Sequence, residues 1–92
     1  MAQASMTKAI QHSRGWCDLF IAEPNAIYNG AFFEIKKVGT KIYKKDGTPT
    51  TPHIGEQIEM IEQLKKRGYY AKFSIGQDEL LKDVIAYLEY GR

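Results

Sequence analysis

Three residues between positions 18 and 36 have the types and spacing to act on one substrate: Asp18, Glu34 and Lys36. Successive side chains of a strand point to opposite faces. In Phe32-Phe33-Glu34-Ile35-Lys36 the acid and the amine therefore share one face, and Phe33 and Ile35 share the other. Asp18 stands in Trp16-Cys17-Asp18-Leu19-Phe20-Ile21, otherwise apolar enough for a half-buried or buried strand. If the two strands pair, both carboxylates converge near the Lys36 ammonium. Two hard oxygen ligands beside a cation suit Mg²⁺ or Mn²⁺ and the hydrolysis of a phosphodiester. That reaction brings a water to phosphorus, neutralises the phosphoryl oxygens and helps the leaving oxygen depart. The carbonyl of Ile35 is a further candidate ligand. Lys36 is the group to orient or deprotonate the water, or to stabilise the charged transition state.

The elements that must position these groups follow from local pattern. Strand one runs from Trp16 or Cys17 to Ala22 and ends at Glu23-Pro24-Asn25, because proline cannot donate to a ladder. Asn29-Gly30 favours a turn into strand two, Ala31 to Lys37, and the two strands read as an antiparallel hairpin. Residues 3 to about 13 can form a short helix with Met6, Ala9 and Ile10 as a weak apolar stripe. Lys41 to Lys44 is a candidate short strand, with a tight turn at Asp46-Gly47.

Thr51-Pro52 starts a helix that continues to Arg67, with Ile54, Ile58, Ile61 and Leu64 as its buried stripe and Gly68 as its stop. Tyr69 to Ile75 reads as a third strand. Reached from strand two through a helix, it should be parallel to it. A last helix follows, capped from Ser74 to Gln77 or by Gln77-Asp78, with Leu80, Leu81, Val84, Ile85 and Leu88 on its apolar face. Gln57 falls between Ile61 and Leu64 on a helical wheel, which puts an amide on a face that should be apolar. A buried amide needs partners, and a position facing the carboxylates and Lys36 would supply them.

Bulk properties set the remaining bounds. The 92 residues suffice for one α/β domain with a small core, and no apolar run approaches the ~20 residues of a membrane span. The single cysteine, Cys17, excludes an internal disulfide and suits a reducing cytoplasm; without a nearby base it reads as a packed residue rather than a nucleophile. Net charge is only +2, but it is unevenly spread: residues 36–72 hold nine Lys or Arg against four acids. Lys37, Lys41, Lys44 and Lys45 directly follow the candidate site, and Lys65, Lys66 and Arg67 close the first long helix. Together they would hold a nucleic-acid backbone without reading its sequence. A solvated, lysine-protected edge hairpin is the plainer reading of the first group. Glu-x-Lys alone is a weak signal as well, since exposed strands often carry such an ion pair. Asp18, Gln57 and the basic block together favour the nuclease reading.

Gly15 to Ile21, Gly30 to Lys36, Gln57 and Leu64-Lys65-Lys66-Arg67-Gly68-Tyr69 resemble the VRR-NUC nucleases of the PD-(D/E)xK superfamily. The likeness covers nearly all of the chain from Ser13 to Leu88. It implies an αβββαβ core, a small mixed sheet flanked by helices, and divalent-metal-dependent cleavage of DNA by Asp18, Glu34, Lys36 and Gln57. Small stand-alone members are typically phage or prophage proteins of a bacterial cytoplasm. Some resemble homodimeric Holliday junction resolvases, which implies branched or four-way junction DNA as partner. Two features depart from the family pattern. Cys17 stands where proline usually precedes the aspartate, and residues 1–17 contain no Asp or Glu to serve as an extra metal ligand, only Gln3, Gln11 and His12 as substitutes. The rival readings are a catalytically inert DNA-binding module, a flap or duplex nuclease, and a structural subunit in which Glu34 and Lys36 merely pair.

Overall fold

A computed structural model describes residues 18–90. Three strands form one sheet in the order β1-β2-β3: β1 Leu19–Ile21, β2 Ala31–Lys36 and β3 Tyr70–Ile75. β1 and β2 are antiparallel, with Leu19 opposite Phe33 and Ile21 opposite Ala31. β2 and β3 are parallel, with Ala31 opposite Tyr70 and Lys36 opposite Ile75, as a crossover through a helix requires. That helix is α1, Pro52–Lys66; the second, α2, is Gln77–Glu89.

The helices cover opposite faces of the sheet. Phe32 and Ala71 pack with Ile61 and Leu64 of α1, joined by Phe20 and Phe73. Ala31 and Phe33 pack with Tyr87 of α2, joined by Leu19, Ile21, Leu80, Val84 and Leu88. Strand alternation thus divides β1 and β2 between two apolar layers, with the α1 layer receiving every second residue from Asp18 and from Phe32.

Helix α1 begins as its sequence predicts: the Thr51 hydroxyl accepts from the amide of Ile54 at 3.1 Å, and Pro52 occupies the first turn. Gly68, at φ +89°, supplies the left-handed stop. Helix α2 differs from expectation in two ways. Gly76 stands at its N-cap with no side-chain cap, while the Ser74 hydroxyl donates to Asp83 and Glu79 accepts from the amide of Ile75. Its buried face centres on Val84 and Tyr87, so Leu81 and Ile85, roughly 60° and 100° round from Val84, remain 61% and 47% exposed. Tyr87 takes the central place because its ring meets Tyr28 and Tyr70 and its hydroxyl donates to the Glu23 carbonyl at 2.8 Å.

Lys41–Lys44 is not a strand. One bridge, Tyr43 to Pro49, is all that forms, because the segment turns on itself through hydrogen bonds from Lys44 to Thr48 and from Thr50 to Ile42. The expected αβββαβ core therefore has its third strand reduced to a bridged turn, and its first helix lies outside the described residues. The turn from β1 to β2 is set by Asn25, whose side-chain oxygen accepts from the amides of Ile27 and Tyr28 at 2.9 and 2.8 Å.

Gly76 joins β3 to α2 at φ +90°, and a Cβ there would stand 2.7 Å from a methyl of Val38. Gly76→Ala is expected to cost about 1–3 kcal/mol. Thermal denaturation would read this as a lowered Tm, and an unchanged Tm would contradict the account of this junction.

Candidate metal and phosphodiester site

The register places the site. One residue beyond the Leu19–Phe33 pair, Asp18 comes level with Glu34, on the face that carries Phe20, Phe32 and Lys36. The Asp18 Oδ2 accepts from the backbone amide of Ile35 at 2.9 Å, which ties the carboxylate across the hairpin beside Glu34. From the opposite side α1 presents Gln57. It is 3% exposed, on the same buried stripe as Ile54, Ile61 and Leu64, whereas Ile58 is only partly buried.

Glu34 is 2% exposed inside the α1 layer. Burial pushes its carboxyl up from 4.5 to about 8, with the adjoining Asp18 carboxyl adding to the rise by hydrogen bond and by charge. The Lys36 ammonium and the Gln57 amide pull the other way without offsetting it. Near neutral pH Glu34 therefore keeps its proton, with the Asp18 carboxyl beside it. Two side-chain oxygens here have no hydrogen-bond partner among the described residues: Glu34 Oε1 and Gln57 Oε1.

This is a donor set for a hard cation. Orphaned, buried oxygen atoms on a protonated Glu34 and beside it are groups that a divalent ion would satisfy, displacing the proton. Among the described residues no three of His, Cys, Asp and Glu cluster as ligands, so these residues offer two carboxylates. Two suffice for Mg²⁺, which commonly keeps several waters and takes substrate phosphate oxygens for the rest. The residues fit the ion.

Of the residues singled out in the sequence, Asp18, Glu34, Ile35, Lys36 and Gln57 come together at one end of β2. Lys37, Lys41, Lys44 and Lys45 are exposed and follow directly from that end. Lys65, Lys66 and Arg67 are exposed at the other end of the sheet: the Asn29 amide donates to the Gly68 carbonyl, next to Gly30 at the start of β2. His53 is exposed, and Cys17 lies outside the described residues. Sequence reasoning missed Lys72 and Asp83, which form an ion pair of 2.9 Å on the α2 side. Their positions at strand and helix spacing gave no sign of the pairing.

No protein-family model matches the sequence, and no curated protein does either. A solved structure named as a VRR_NUC domain protein does match, with a TM-score of 0.71 and 31% identity over 97% of this chain. The chain has the fold of the VRR-NUC domain. It spans 65% of the length of that VRR-NUC structure. The likeness extends over the whole ββαβα arrangement that brings Asp18, Glu34 and Gln57 together, so the VRR-NUC architecture and the candidate site rest on the same elements. Among the described residues no helix is long and apolar enough to cross a membrane.

Proposed function

We propose that this VRR-NUC domain is a divalent-metal-dependent DNA endonuclease that cuts structured DNA, in the manner of a Holliday junction resolvase acting as a homodimer. The observation that carries this reading is the pairing of Asp18 with the buried, proton-retaining Glu34, with Gln57 and Lys36 beside them. Asp18, Glu34 and the carbonyl of Ile35 would hold Mg²⁺ or Mn²⁺, which when bound supplies Lewis acidity toward the scissile phosphate and lowers the pKa of a coordinated water.

The chain's own residues do the rest. Lys36, on the same face as Glu34, orients or deprotonates the attacking water and offsets negative charge as it develops. Gln57, held in the layer by α1, positions Lys36, the water or a phosphate oxygen. The exposed lysines of 37–45 draw the DNA backbone along the end of the sheet from which β2 emerges, a contact that weakens as salt rises. Junction resolution needs two matched cuts, and an isologous homodimer presents two such sites to symmetric strands.

One observation favours a second reading, an inert DNA-binding module: the described residues supply two carboxylates and no third. Labelled four-way junction, flap and linear duplex, each with Mn²⁺ or EDTA, separate these readings. Metal-dependent, symmetric junction nicks by a particle of twice the chain mass in light scattering are expected. Cutting of flap or duplex in preference would remove the resolvase assignment. Salt-sensitive binding without cutting would remove the enzyme.

A further inference from the structure

At the end of the sheet away from Lys36, a trough of about 490 Å³ is lined by Tyr28, Lys65, Tyr69, Tyr70, Ala71 and Lys72. It wraps the outer edge of β3, which pairs with β2 on one side and with no described strand on the other. Both faces of the sheet contribute: Tyr69 and Ala71 belong to the α1 layer, Tyr28 and Tyr70 to the α2 layer. Tyr70 lies level with Ala31, three residues before Glu34, which separates that end of the trough from the metal site by roughly 10 Å along the strands.

The polar groups of this lining are donors without enough acceptors. The hydroxyls of Tyr28, Tyr69 and Tyr70 have no hydrogen-bond partner among the described residues. The Lys72 ammonium has one carboxylate partner, Asp83 at 2.9 Å, which also takes the Ser74 hydroxyl. Lys65 has one surface partner, Glu62 at 3.5 Å. Each ammonium carries three hydrogens, so both keep donors to spare. Lys66 and Arg67 add positive charge beside Lys65. Aromatic rings interleaved with spare cationic and hydroxyl donors match a ligand that combines an anion with a flat ring.

We propose that this trough binds a nucleotide of an unpaired DNA strand, its phosphate on Lys65, Lys72 and the phenol hydroxyls and its base against a tyrosine ring. The ligand class rests on the nuclease reading; the trough itself does not. A duplex keeps its bases stacked and offers phosphates alone, so the rings favour single strands. A second copy pairing along β3 is disfavoured because it would bring four ammonium groups to one edge, and charged edges resist pairing.

The test is fluorescence anisotropy in EDTA with short oligo(dT) and with a blunt hairpin duplex. Four proteins are compared: the native chain, Lys65→Glu, the triple variant Tyr28→Phe, Tyr69→Phe, Tyr70→Phe, and Lys82→Glu as an exposed control on α2. Lys65→Glu should weaken oligo(dT) binding roughly tenfold or more while changing duplex binding far less. The triple variant keeps the rings and should lose several-fold, and Lys82→Glu should match the native chain. Native-like oligo(dT) binding by both trough variants overturns the proposal. So does an equal loss on both DNAs, or a change of mass in Lys65→Glu by light scattering, which would make the edge an interface between copies. Cleavage with Mn²⁺ is read in parallel. If the native chain binds oligo(dT) through the trough but cuts nothing, the trough stands and the nuclease reading falls.

Discussion

Glu34→Gln is expected to raise the stability of the metal-free protein at pH 8 and above while removing its cleavage of DNA. The folded state holds the Glu34 carboxyl at about 8 against an ordinary 4.5, so between those values it binds a proton that the unfolded chain has released. Stability must therefore fall as pH rises through that window, and the loss is complete above it. A rise of about 3.5 units sets a ceiling near 5 kcal/mol, and relaxation around the charge reduces this to a few kcal/mol. Glutamine keeps the shape and never ionises. The Tm of Glu34→Gln minus that of the native chain should be near zero at pH 4.5 and grow toward pH 9, by about 10 °C or more for a domain of this size. Cleavage should drop by on the order of 10³ or more, since a ligand and its charge are lost. Added Mn²⁺ should lift the Tm of the native chain and leave the variant where it is. Parallel Tm curves across pH would show that Glu34 is not held protonated by the fold.

Lys36→Ala is expected to slow cleavage by about 10² to 10⁴ with Mn²⁺ still bound. The ammonium shares the face of Glu34 and, by its charge, holds that carboxyl below where burial would leave it. Removing it makes the proton on Glu34 harder to displace, so the metal should bind more weakly at pH 7 and recover as pH rises. The rate should not recover with it, because the water has lost its positioning group. Single-turnover rates at saturating Mn²⁺ read this directly. Lys36→Arg refines the role: rescue by arginine means that charge suffices, and no rescue means that Lys36 handles a proton. A Lys36→Ala rate equal to the native rate would remove the residue from the mechanism.

The hairpin, the α1 helix with its cap and stop, and the parallel third strand could be read from sequence because each has a strong local cause. Alternation in Phe32 to Lys36, Thr51-Pro52, and Gly68 left little freedom. Gln57 could be placed because one amide on an apolar stripe breaks a 3.6-residue pattern, and only the fold adds that the stripe lies over Glu34. The turn at 41–50 was less readable: Ile42 and Tyr43 are residue types that favour strands, but hydrogen bonds within the loop outweigh pairing with the sheet. Leu81 and Ile85 share the helical period of Leu80 and Val84, and nothing local shows that Tyr87 would take the centre of the buried face. The β3 trough was least visible, since Lys65 and Lys72 come from elements brought together only by the crossover.

The most direct test of a metal-dependent site at Asp18 and Glu34 is single-turnover cleavage of a labelled four-way junction by the native chain, with Mn²⁺ or EDTA, from pH 5 to 9. The ion must displace the proton held by Glu34. No cutting is therefore expected in EDTA and, at limiting Mn²⁺, the rate should climb about tenfold per pH unit before levelling near pH 8. Cutting that persists in EDTA, or a native chain that cuts no DNA at any pH with Mn²⁺ present, would contradict it.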